Sequence, residues 1–227
     1  MHATEPRGAE PSEDDDSYLL CERVLVAVTG SPAALTMPQT VLLMRQSLAR
    51  EVRVMMSRSA CRFLPPYTMR LFAGSWVHTE THRASDDALI PHLDLTADID
   101  LLLVMPATAN ALAKAAHGIC DDLISTAIVA SPAPVVLVPA MNETMWRSAA
   151  VRRNVESATS LGYTVVDPTI GTQLSDLNPA VGVMPPLEHI LDQLVAVTKG
   201  ARARREPVGP LATAGRRATD KTRRGAR

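Results

Sequence analysis

The chain has 227 residues and a formal net charge of −1, with 46% hydrophobic and only 3% aromatic residues, which fits one soluble globular domain with tails, long enough to bury a sizeable core. No apolar run approaches the roughly 18 residues of a membrane span, and the acidic amino-terminus has the wrong sign for a secretory signal, so a cytoplasmic protein without a membrane partner is expected. Cys21, Cys61 and Cys120 are odd in number, far apart and without a CxxC pair, the usage of thiols in a reducing compartment.

Residues 1–21 carry Glu13, Asp14, Asp15 and Asp16 beside Pro6 and Pro11, with little to bury, and read as a disordered acidic arm. Arg23 to Val28 reads as a first strand, followed by Thr29-Gly30-Ser31-Pro32 and a helix through about Ala49. Val52 to Met56 reads as a second strand, followed by Ser57, Ser59 and a helix broken at Pro65-Pro66. The stretch from Ala73 to Asp98 has no clear period. His78 and His82 share an i, i+4 spacing there without an HExxH glutamate, so a solvated polar face is expected and no metal site. Asp100 to Met105 is the next strand, closed by Pro106-Ala107-Thr108-Ala109-Asn110 and an Ala-rich helix interrupted at Gly118. Val135 to Val138 is an unbroken aliphatic run, which suits a parallel strand covered on both faces. It ends in Pro139-Ala140-Met141-Asn142, where Asn142 can cap a helix from about Glu143 to Leu161 that stops at Gly162. A short strand at Tyr163 to Val166, an irregular loop from Asp167 to Pro186 and a last helix at about Leu187 to Val197 complete the domain, 22–197. Residues 198–227, rich in arginine with Pro207 and Pro210, read as a disordered basic tail. A basic run without stacking aromatics carries little weight for nucleic acid, and no nucleic-acid partner is expected.

Strands alternating with helices at this spacing predict an α/β fold: a doubly wound parallel sheet, flavodoxin-like or Rossmann-like, in a three-layer sandwich. Such sheets bind ligands at the carboxyl ends of their strands. The residues that follow each apolar run are small or polar, and hydroxyls with N–H groups at helix starts suit an anion, so a phosphate-bearing cofactor is expected on that rim. Neither a GxGxxG nor a Walker A sequence is present, which weighs against a standard NAD site or an NTPase. Each rim residue also has a plain reading as a turn or cap.

Three stretches resemble a known family. Pro139-Ala140-Met141-Asn142-Glu143-Thr144-Met145-Trp146 is similar to the PxMNxxMW signature of the homo-oligomeric flavin-containing cysteine decarboxylases. Pro106-Ala107-Thr108-Ala109-Asn110, continuing to Gly118-Ile119-Cys120-Asp121-Asp122-Leu123, resembles that family's PASAN and GxxDNL elements. His92, in Ile90-Pro91-His92-Leu93-Asp94, resembles its active-site histidine. The resemblance implies a flavin, FMN or FAD, held by Thr29, Gly30, Ser31, Ser57, Ser59, Pro106, Ala107, Thr108, Asn110, Ala140 and Met141. It also implies a homo-oligomer, a trimer or a dodecamer, with flavin sites near subunit contacts.

The family has a branch that decarboxylates phosphopantothenoylcysteine for coenzyme A, and one that oxidatively decarboxylates the carboxyl-terminal cysteine of a ribosomally made precursor peptide, as in lantibiotic maturation. In the coenzyme A branch a cysteine in the loop after the last strand helps reduce the enethiol. Leu174 stands at that position here, so the resemblance favours the peptide branch, with an aminoenethiol product. Loss of CO2 from a cysteine carboxylate needs an electron sink. If a flavin takes a hydride equivalent from Cβ, the thioaldehyde left behind accepts the electron pair and yields an enethiolate. His92 is the candidate thiol base, Asn142 the candidate carboxylate contact, and Met145 and Met184 the candidate pocket residues of the substrate. The loop from Asp167 to Met184 reads as a substrate clamp. Two other readings stand beside this one: a coenzyme A route enzyme, and a non-catalytic flavoprotein that binds partners through its charged tails.

Overall fold

The computed structural model describes residues 19–79, 91–173 and 177–204; residues 1–18 of the acidic arm, most of the basic tail, His82 and Leu174 lie outside them, and Cys21, expected to end that arm, is buried and opens the first strand. Six strands form one parallel sheet: β1 (Cys21–Val28), β2 (Ala49–Met56), β3 (Val77–His78), β4 (Leu101–Ala107), β5 (Val135–Pro139) and β6 (Thr164–Val165). Their order is β3-β2-β1-β4-β5-β6, and every pairing is parallel. This is the Rossmann-type order of a doubly wound sheet.

The apolar runs become central strands because both faces of the sheet are covered. Val24, Val26 and Val28 of β1, Leu101 and Leu103 of β4 and Val136 and Val138 of β5 point to one side. Leu25, Ala27, Leu102, Val104, Val135 and Leu137 point to the other. The first side is covered by α1 (Met37–Ser47), α2 (Pro66–Ala73) and α8 (Leu187–Arg204), through Val41, Met44, Met69, Ile190 and Leu194. The second is covered by α3 (Pro91–Thr96), α4 (Ala109–His117), α5 (Leu123–Ala130) and α7 (Ala149–Ser160), through Leu95, Leu112, Ile124, Ile128 and Val151. Truncating a fully buried leucine such as Leu103 to alanine would cost about 2–5 kcal/mol.

Several local expectations are corrected. The first helix ends at Ser47, and β2 already begins at Ala49, because Ala49 is buried and pairs with Cys21. The unreadable stretch contains the two-residue edge strand β3 and, after it, α3, so the strand at Val135 is fifth and not fourth. The helix expected over 143–161 is two helices, α6 (Glu143–Arg147) and α7, because Ser148 adopts an extended conformation and caps α7 through the N–H of Val151. The loop after β6 is not irregular: β7 (Thr169–Thr172) and β8 (Pro179–Val183) pair as an antiparallel hairpin. The last helix continues past Val197 to Arg204. Leu187, Ile190 and Leu194 fix it to the core, and no proline interrupts it between Val197 and Arg204.

Candidate active site

At the carboxyl ends of β1, β2 and β4 the chain leaves the sheet toward opposite faces, which opens a crevice where such folds bind ligands. A cavity of about 760 Å³ lies there, within the size range of cofactor pockets. Of the residues expected to bind the cofactor, Thr29, Gly30, Ser57, Ser59, Thr108 and Asn110 line it together, joined by Met145, expected in the substrate pocket.

Their hydroxyls act first on the backbone. The Thr29 hydroxyl donates to the Pro106 carbonyl at 2.7 Å and accepts from the Thr108 N–H at 3.0 Å, which ties the end of β1 to the end of β4. Ser57 accepts from the Ala60 N–H at 3.1 Å, and Thr108 caps α4 by accepting from the Ala111 N–H at 3.3 Å. The plain reading as caps therefore holds for these side chains, and it sharpens the anion argument. With the Thr108 cap on the N–H of Ala111, the first-turn N–H groups at Ala109 and Asn110 are those for which a helix offers no carbonyl, and both residues line the cavity. Gly30 is needed for space: a Cβ there would stand 2.3 Å from the Ser59 Cβ, so the loops after β1 and β2 touch only because position 30 has no side chain.

The other expected cofactor residues are not on the cavity wall. Ser31 is buried and caps the short 3-10 turn Pro32–Thr36 through the Ala33 N–H. Pro106 and Ala107 are the last residues of β4, where the Pro106 carbonyl receives both Thr29 donors and the Ala107 carbonyl receives the Ala140 N–H. Ala140 is buried, and the Met141 N–H donates to the Gly182 carbonyl at 3.0 Å, so Ala140 is tied to β4 and Met141 anchors the β7–β8 hairpin. Gly182 has φ +119, and a Cβ there would lie 2.2 Å from the Met141 carbonyl oxygen. Asn142 caps α6 through its Oδ1, which accepts from the Met145 N–H at 2.8 Å. Met184 packs partly buried against the core on the α1 and α8 side. His92 sits half-buried in α3, and its carbonyl accepts from the Thr96 hydroxyl. His92, Asn142 and Met184 are absent from the cavity wall. Trp146 is buried in the core with the Arg152 guanidinium 5.0 Å above its ring.

The cavity also holds residues for which no role was expected: Arg58, Lys114, Asp121, Asp122 and Ser125. Lys114 Nζ lies 2.6 Å from both Asp121 Oδ1 and Asp122 Oδ2. Desolvation works against the ammonium, and the two carboxylates outweigh it, so its pKa is raised. Burial likewise opposes the Asp122 charge, but Lys114 and the Ser125 bonds prevail and hold this carboxyl below its ordinary range. Asp122 also caps α5 through the Ser125 N–H at 2.8 Å. A signal for Lys114 was present: it follows Asn110 by four residues and so shares its helix face.

A polar rim of capped turns and first-turn N–H groups, a floor kept open by Gly30 and a cavity of this size fit a phosphate-bearing flavin. A model of the flavoprotein family matches residues 13–199. The chain belongs to this family. Two of its relatives are coenzyme A biosynthesis bifunctional proteins CoaBC: that of Bacillus subtilis is 40% identical over 120 residues, and that of Escherichia coli 32% identical over 203 residues. These matches cover 53% and 84% of this chain but only 30% and 49% of the relatives, so the chain spans at most about half their length. Among solved flavoprotein-like structures, the FMN-dependent cysteine decarboxylase SpaF is 29% identical with a TM-score of 0.67, covering 80% of this chain and 97% of that one. A PPC decarboxylase mutant complexed with pantothenoylaminoethenethiol is 26% identical with a TM-score of 0.63, covering 80% and 97%. The fold and the flavoprotein family expected from the resemblance agree with these findings, and the two solved proteins named here are cysteine decarboxylases. Among the described residues no helix is long and apolar enough to cross a membrane.

Proposed function

We propose that this chain is an FMN-dependent decarboxylase of a cysteine carboxyl group. The observation that carries the reading is the cavity at the ends of β1, β2 and β4, which gathers Gly30, Ser57, Ser59, Thr108 and Asn110 in a chain of the flavoprotein family. In this reading Ser57, Ser59 and the first turn of α4 hold the phosphate. The flavin supplies an acceptor for the hydride that leaves the cysteine Cβ. Met145 bounds the substrate side. With its Oδ1 engaged at the α6 cap, Asn142 offers its amide N–H groups to the substrate carboxylate. His92 takes the thiol proton, and because it lies off the wall of its own cavity it serves a neighbouring copy in a homo-oligomer.

The finer question is the substrate. The curated relatives weigh toward phosphopantothenoylcysteine, since both named above are CoaBC proteins and one matches 84% of this chain. We therefore favour this substrate over the peptide expected from the hairpin sequence. One observation keeps the peptide reading: Leu174 stands where coenzyme A enzymes carry a reductive cysteine, and the SpaF likeness is compatible with it.

The test is mass spectrometry of phosphopantothenoylcysteine and of a library of peptides ending in cysteine, each incubated with the yellow protein in air. A loss of about 44 Da from the first, CO2 alone, supports complete coenzyme A chemistry, whereas about 46 Da, CO2 plus two hydrogens, stops at the enethiol. Loss from the peptides alone moves the reading to peptide maturation, and no turnover of any substrate overturns both. His92→Asn is expected to keep the bound flavin and abolish turnover; full activity refutes the base assignment.

A further inference from the structure

The cluster of Lys114, Asp121 and Asp122 has no part in the reading above, yet it lines the same cavity. Its formal charge is −1: one ammonium, with its side chain 15% exposed, between two carboxylates at 2.6 Å. At position 122 an asparagine would serve equally well as the cap of α5. The Asp122 carboxylate is therefore not required by the helix, and its consequence is electrostatic. It is partly withdrawn from water and faces the space a flavin would fill, where charges interact more strongly than in bulk solvent.

We infer that the Lys114–Asp121–Asp122 cluster sets the redox balance of the bound flavin, its net negative charge favouring the neutral oxidised ring over the anionic reduced ring. This deepens the proposed flavin site and rests on that reading. The sign of the cluster charge sets the direction of the effect. Asp122→Asn takes it from −1 to 0 and relieves repulsion of the reduced anion. Lys114→Met takes it to −2 and increases that repulsion. Lys114→Arg leaves it unchanged. The charges act through the cavity, so these three residues are positioning and tuning groups and not catalytic ones.

The test is spectroelectrochemical titration of the FMN-loaded, full-length protein and its variants, with flavin affinity measured separately by fluorescence quenching. Asp122→Asn is expected to raise the affinity for reduced over oxidised FMN about tenfold, which for a two-electron couple is a rise of about 30 mV. Lys114→Met should lower it by a similar factor, and Lys114→Arg should match the parent. Asp121→Asn, which also brings the charge to 0 and leaves the α5 cap in place, should follow Asp122→Asn if Lys114→Met fails to fold. A change of less than twofold in both neutralising variants, or a shift of the same sign for Lys114→Met and Asp122→Asn, overturns the inference while leaving the flavin reading intact. Failure of the parent protein to bind FMN sinks that reading and this inference with it.

Discussion

Replacing Gly30 with alanine should damage the cavity floor through a single contact. An ideal Cβ at position 30 lies 2.3 Å from the Ser59 Cβ, 3.1 Å from the Ser59 carbonyl carbon and 3.3 Å from its Cα. Carbon atoms at rest stand about 3.5–4.0 Å apart, so the loops after β1 and β2 would have to separate by roughly 1 Å. Gly30 is not in the left-handed region, so the cost is steric and not conformational. Overpacking of this kind costs about 1–3 kcal/mol. The upper half applies, because the opposing atom is a Cβ fixed to the backbone: about 2–3 kcal/mol, or roughly 30- to 150-fold in the folding equilibrium. Ser59→Gly removes that Cβ at the price of about 0.5–1 kcal/mol of chain entropy. In the double variant the remaining neighbours stand at 3.1 and 3.3 Å, distances a small backbone adjustment absorbs. Urea unfolding of the parent, both single variants and the double variant should give a favourable coupling of about 1–2 kcal/mol, and FMN affinity should fall in Gly30→Ala and partly recover in the double variant. Simple additivity would show that Gly30 and Ser59 do not oppose each other, and the account of the floor would be wrong.

Three further outcomes follow from the same geometry. Gly182→Ala should detach the hairpin from Met141, because the new Cβ meets the Met141 carbonyl at 2.2 Å and φ is +119; about 1–2 kcal/mol of strain and a lost hydrogen bond worth about 0.5–1.5 kcal/mol should appear as faster hydrogen exchange at the Met141 amide. Burial, and then the charge of Arg53, lower the pKa of His78, so the unfolded chain takes up this proton first. Stability should be full above the ordinary histidine range and decline as pH falls through that range toward the folded value; His78→Gln should flatten this part of the profile, and an unchanged slope would contradict it. Asn142→Ala removes the α6 cap and should cost about 0.5–1 kcal/mol in thermal unfolding, while Asn142→Asp keeps the cap and loses only the amide donor, so a catalytic role requires both to lose turnover.

Residue order alone determined the layered fold. The aliphatic runs at Val24, Leu101 and Val135 are too uniformly apolar for a half-exposed strand, and the residues after them are the small and polar kinds that turns and caps require, so the parallel sheet and its binding rim could be read directly. The motif at Pro139 to Trp146 carried the family in the same way. Local features set by few residues also survived: Asn142 as a cap, Gly118 and Gly162 with positive φ at helix ends, and the end of β4 before Asn110.

Only the tertiary structure decided what depends on residues far apart in the chain. The hairpin at Thr169 to Val183 exists because its two short strands pair with each other and Gly182 meets Met141; neither strand has enough alternation to announce itself. The break at Ser148 competes with a helical period that runs through it. Pro106, Ala107, Ala140 and Met141 belong to the right motifs, but their backbone groups join β1, β4, β5 and the hairpin, Ser31 caps the turn at Pro32–Thr36, and none of the five lines the cavity. Lys114 enters the site because Asp121 and Asp122, seven and eight residues later, fold back across the end of α4 and hold its ammonium in place. Strand and helix type follow from neighbours along the chain, whereas the charge and shape of the cavity follow from which loops are packed across the switch point of the sheet.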